Sequence, residues 1–186
     1  MLQVFGAMAD RWKEREMSAA DNGADAVLPR STVSAGELLA GVAALIGDTP
    51  TVADLSTAAV ERQLRIPLRT DSGGGFSAVA QLSATWSLLL DLRPGTASGP
   101  TLLLEFWPTD PTAEDGIAAV GDVDLEDFAA RLESAGFRRT PWFGEHGRRM
   151  GHHFHRGSVR VTVDTEADST DPTPSDREYI RGIRVQ

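Results

Sequence analysis

Arg149-Met150-Gly151-His152-His153-Phe154-His155-Arg156-Gly157-Ser158-Val159-Arg160-Val161-Thr162-Val163 is the stretch from which the fold is read. Val159, Val161 and Val163 alternate with Ser158, Arg160 and Thr162, the two-residue period of a strand with one buried and one solvated face. Arg156-Gly157 puts a glycine where a tight turn needs positive φ, and the residues before it alternate as well. A hairpin closed there sets His155 opposite Ser158, Phe154 opposite Val159, His153 opposite Arg160, His152 opposite Val161 and Met150 opposite Val163. His152 then belongs to the apolar face as a hydrogen-bonded core histidine, and His153 and His155 project on the other side beside Arg160.

All four histidines lie between His146 and His155, which raises the question of a metal. Zinc needs three or four converging ligands at about 2 Å. His153 and His155 supply two, an arginine across the ladder repels a cation, and the nearby acids are Glu145 and Asp164. There is no His-Glu-x-x-His spacing and no cysteine, so we expect no metal and no cofactor. Asp122, Asp124, Glu126 and Asp127 lack the glycine and terminal glutamate of a calcium loop, and acids are ordinary at a helix start.

Outward from the hairpin, Ser34 and Glu37 form a capping box before Leu38, Leu39, Val42, Leu45 and Ile46, with Gly47 as the stop. A second short helix is expected from about Ser56 to Leu64, and a third from Asp124 to Ala135 with Leu125, Phe128 and Leu132 inward. From Phe76 to Leu92 the even positions are apolar and the odd ones largely polar, which predicts one long strand or two collinear ones. Thr101–Trp107 returns beside it; Phe137–Phe143, Arg149–His155, Ser158–Thr165 and Glu178–Val185 complete about six strands. The fold class is α+β, a largely antiparallel sheet with helices packed on one face. Absence of βαβ alternation argues against a doubly wound fold, and no internal repeat is visible. Residues 1–33 read as an amino-terminal helix and linker, and 34–186 as a single α+β domain.

The 186 residues are 41% hydrophobic with a net charge of −9 and no cysteine. A core of real size is affordable, and thiol chemistry is excluded. Lys13 is the sole lysine among 18 basic residues and Asn22 the sole asparagine, a bias expected of a high-GC bacterium. Leu2, Phe5, Met8 and Trp12 recur at helical spacing. Such a helix has the body, a second chain or a membrane as partners, and Asp10, Glu14 and Glu16 favour docking on protein; Met17 is an alternative start. No secretory signal and no apolar run of membrane-spanning length is present, so the cytoplasm is the default.

Gly73-Gly74-Gly75 has no lysine and leads into a strand, so it reads as a flexible loop and not a phosphate loop. No Gly-x-Ser-x-Gly elbow occurs. Glu105 and Asp91 are expected to face each other across the first hairpin, as solvated acids. The remaining signal is charge segregation. Asp110, Glu114, Asp115 and Asp122 head an acidic tract, whereas Arg138, Arg139, Arg148, Arg149, Arg156 and Arg160 cluster around the histidines. Nucleic acid is disfavoured by the overall charge. Two function classes follow. The first is a non-enzymatic protein-interaction module, of inhibitor or immunity type, binding a basic partner through Asp110, Glu114, Asp115 and Asp122. The alternative is a binder or hydrolase of an anionic small molecule through Arg148, Arg149, His153, His155 and Arg160.

Overall fold

The computed structural model describes residues 28–96, 99–109, 116–121, 123–144, 147–167 and 177–186. The expected amino-terminal helix, Asp110, Glu114, Asp115, Asp122, Glu145, His146 and the tract 168–176 lie outside these residues.

Among the described residues, three α-helices precede or separate two groups of strands: α1 (Ala35–Asp48), α2 (Thr57–Leu64) and α3 (Leu125–Ser134). Ser34 caps α1 with the reciprocal Glu37 bond that the sequence predicts, and Asp124 caps α3 by accepting from the Glu126 N–H at 2.8 Å. The strands are β1 (Arg69–Thr70), β2 (Phe76–Gln81), β3 (Trp86–Thr96), β4 (Gly99–Pro108), β5 (Arg138–Phe143), β6 (Arg149–Arg156), β7 (Val159–Ala167) and β8 (Glu178–Val185). They form one sheet of eight strands, ordered β1-β2-β3-β4-β8-β7-β6-β5, with every neighbouring pair antiparallel. The α+β class holds, but the described residues form eight strands and not six.

Two strands were invisible for a physical reason. Phe76–Leu92 is a hairpin, in which Phe76 pairs with Leu92, Ala78 with Leu90 and Ala80 with Leu88. Even residues pair with even residues, so the alternation runs unbroken through the turn and imitates a single strand. The turn is held by Ser83, whose hydroxyl accepts from the N–H groups of Thr85 and Trp86. β1 has only two residues, too few to carry a period. The glycine loop that joins it to β2 is a hydrogen-bonded turn: Asp71 Oδ1 accepts from the N–H groups of Gly73 and Gly75 at 2.8 and 3.0 Å.

The expected β6–β7 register is also corrected. Arg156 pairs with Val159, His155 with Arg160, His153 with Thr162 and His152 with Val163, two residues from the predicted pairing. Gly157 is the first turn residue, with φ 58°, as a type II′ turn requires, whereas the sequence reading placed it second. A slip of two preserves faces, so His152 and Phe154 still point to the core.

All three helices pack on one face. Leu38, Val42 and Ile46 of α1, Val60 and Leu64 of α2, and Phe128 and Leu132 of α3 share one buried cluster with Leu88, Leu90, Leu104, Phe106, Phe154, Val161 and Ile183 from the sheet. The order is symmetric under exchange of β1–β4 with β5–β8: each half is a helix-led meander, joined where β4 meets β8. Both edges are guarded. Arg30 bridges β2 at Gln81 beyond β1, and edge strand β5 carries Pro141, which interrupts further pairing.

Candidate functional site

The face of the sheet without helices holds Arg138, His153, His155 and Arg160 of the predicted basic cluster. One cross-strand row runs Arg138, His155, Arg160 and Gln186; the next runs Thr140, His153, Thr162, Arg184, Leu103, Asp91 and Ser77. A third row runs Trp142, Gly151, Asp164, Gly182, Glu105, Leu89 and Val79. Glu105 and Asp91 therefore share this face one row apart, opposite Leu89 and Leu103, and do not oppose each other as the sequence suggested.

His153 stacks on Trp142 with ring centroids 5.7 Å apart and shares a 3.2 Å hydrogen bond with the Thr162 hydroxyl. Gly151, paired with Trp142 in the ladder, has φ 149°, and a Cβ there would collide with the Val163 carbonyl oxygen. Burial pushes the His153 ring below the usual histidine range, and the charges of His155 and Arg160 add to this. His153 is thus a neutral aromatic surface at neutral pH.

The five residues of the expected anion set do not converge. His153, His155 and Arg160 share the helix-free face, with Arg138 beside them. Arg148 is exposed before β6, and Arg149 pairs with Glu178 at 2.8 Å at the far end of the strand. Trp142 and Arg138 share this face but were not among the predicted site residues. Their signal is the alternation Arg138, Thr140, Trp142 in an edge strand whose other positions carry Arg139 and Pro141.

On the helix side, His152 is 4% exposed and sits inside a polar chain. Glu126 of α3 binds Arg139 with both oxygens, at 2.8 and 2.9 Å, and this holds its carboxyl below the usual carboxylate range. Arg139 Nε donates to His152 Nδ1 at 3.0 Å, and His152 Nε2 meets Glu178 Oε2 at 3.0 Å. A guanidinium only donates, so Nδ1 accepts at the shorter contact, while Nε2 faces both the Glu178 carboxylate at 3.0 Å and Arg139 Nη2 at 3.3 Å. Each partner of His152 is thereby satisfied in place, and no face of the ring is offered to a substrate.

Two open clefts flank the start of α3, of about 230 Å³ beside Leu39, Asp127 and Arg131 and about 330 Å³ beside Ala118, Arg177 and Tyr179. Neither contains a histidine. Among the described residues, no three His, Asp or Glu side chains are grouped to hold a metal ion, and no helix is long and apolar enough to cross a membrane. Compared with family models, curated proteins and solved structures, the chain matches none.

Proposed function

We propose that this chain is a non-enzymatic protein-interaction module, an inhibitor- or immunity-type binder of a basic partner protein. The observation that carries this reading is the β5–β7 half of the helix-free face. There Trp142, stacked on His153, lies on edge strand β5 two cross-strand rows from the Arg138–His155–Arg160 row, with Phe143 56% exposed next to it at the end of the same strand. Tryptophan and arginine on a preorganised surface are the residue types that dominate protein interfaces. The net charge of −9 steers a basic partner to the chain, and Asp110, Glu114, Asp115 and Asp122 are the groups assigned to that steering. His152 and His153 are engaged with Arg139, Glu178, Trp142 and Thr162, which supports a binding role for them over catalysis.

The second reading rests on the row Arg138–His155–Arg160, where three basic side chains adjoin across three strands and suit a small anion. One experiment separates the two. The full chain is used as bait in an extract of its source cells, beside Trp142→Ala, Arg160→Ala and a variant neutralised at Asp110, Glu114, Asp115 and Asp122. Retention of one stoichiometric basic protein, weakened about 30-fold by Trp142→Ala as for an interface hot spot and weakened by neutralisation, supports the module. No retained protein, together with phosphate binding that Arg160→Ala abolishes in calorimetry, overturns it in favour of the anion site.

A further inference from the structure

The other half of the helix-free face has a different chemistry. Val79, Leu89, Leu103 and Trp107 of β2–β4 are each partly exposed there, with Glu105 between Leu103 and Trp107. The chain enters the described body beside this strip. Ser31 N donates to the Gln81 carbonyl at 2.8 Å and Gln81 N to the Pro29 carbonyl at 2.9 Å, and Gln81 lies in the same row as Ser87 and Trp107. Everything before Pro29 therefore starts from the rim of this strip, whose apolar residues are interleaved with Asp91 and Glu105.

That preceding sequence carries Leu2, Phe5, Met8 and Trp12. Their spacing of three, three and four puts all four on one stripe of a helix, with the charged residues from Asp10 to Glu16 mostly off it. We propose that residues 1–16 dock in cis as an amphipathic helix on the strip formed by Val79, Leu89, Leu103 and Trp107. The reach is ample: residues 17–28 extend to roughly 40 Å at about 3.3 Å each, whereas the strip spans two strand spacings, about 10 Å. A tether of this length gives an effective concentration on the order of millimolar. A second copy at micromolar concentration competes poorly with that, which selects the chain's own segment as the occupant. This docking site is separate from the β5–β7 surface of the proposed function and stands or falls independently of it.

Photo-cross-linking of the full chain tests the assignment. With p-benzoylphenylalanine in place of Phe5, the expected products are links to peptides within 76–92 or 99–108. In a mixture of nitrogen-15 and unlabelled protein, these links join residues of the same molecule. Trypsin gives an independent reading on the unmodified chain: cleavage after Arg11, Lys13 and Arg15 is expected to be slowed about tenfold or more relative to a free 1–16 peptide, and Leu103→Asp is expected to restore the peptide rate. Links to helix peptides, links between labelled and unlabelled chains, no link at all, or cleavage at the peptide rate each overturn the proposal. A link between chains would instead identify a second copy as the occupant.

Discussion

Gly182 separates two carboxylates. A Cβ at that position would come 3.5 Å from Glu105 Cγ and 3.8 Å from Asp164 Oδ2, so the two acids lean into the space that the glycine leaves. Burial pushes both above their ordinary values, while Arg184 pulls both back and the Asp164 charge raises Glu105 further. A folded-state value above the unfolded one means that the native chain holds the extra proton. The associated stability is complete near and below the unfolded pKa, about 4 for carboxylates, and is lost as pH rises through the raised value. Replacing Glu105 with the neutral isostere removes that loss. Glu105→Gln is therefore expected to raise the urea midpoint at pH 8, with the gain shrinking towards zero at pH 4. An equal gain at both pH values, or a loss at pH 8, would show that charge burial is not the controlling effect. Glu126 has the opposite sign: its bond to Arg139 lowers it, so its contribution is present above the unfolded pKa and fades in acid.

Between elements, Arg156 makes the connection that the sequence least announces. Its guanidinium donates to the carbonyls of Gly47, Ala135, Ile46 and Thr49 at 2.8–3.0 Å and lies 4.4 Å from the centre of the Phe137 ring. These carbonyls belong to the ends of α1 and α3, where unpaired acceptors and the helix dipoles both favour a cation. One side chain therefore caps two helices and ties them to the end of β6. Arg156→Met keeps much of the apolar stem and loses the bonds, and an unfolding loss of about 3 kcal/mol is expected from the strength of charge-assisted bonds; an effect within experimental error in urea would refute the capping role. From sequence, Arg156 read as a turn residue because the register was two residues off. The helices were legible because their caps and stops are local: Ser34 with Glu37, Ser56, and Asp124. The hairpin Phe76–Leu92 was not, because pairing even with even hides a turn from any argument based on alternation. The charged face was legible in part. Parity placed His153, His155 and Arg160 together correctly, but it gave no information about Trp142 on the neighbouring strand β5 or about the turn of Arg149 towards Glu178.

At the scale of the molecule, the two helix-led meanders meet through a short seam, Leu102–Glu105 of β4 against Gly182–Val185 of β8. A seam so short invites the question of whether the halves unfold separately. Three features oppose that. The buried residues form one cluster that crosses the seam, with Leu104 and Ile183 paired at its centre. Arg156 binds the ends of helices that lead different halves. β8 is also the last strand in sequence and pairs on both sides, so β7 and β4 each lose a neighbour if it leaves. Its pairings with β4 are among the most distant in sequence, which makes their closure slow, but once formed they bind both halves into a single cooperative unit. The tryptophans allow a direct test, since Trp86 reports the first meander and Trp142 the second. In a variant retaining Trp86 alone and another retaining Trp142 alone, with phenylalanine at the other tryptophan positions, the fluorescence transition is expected to coincide with circular dichroism in both. Separate midpoints for fluorescence and circular dichroism in either variant would instead identify the halves as independent folding units, joined by the seam but not stabilised by it.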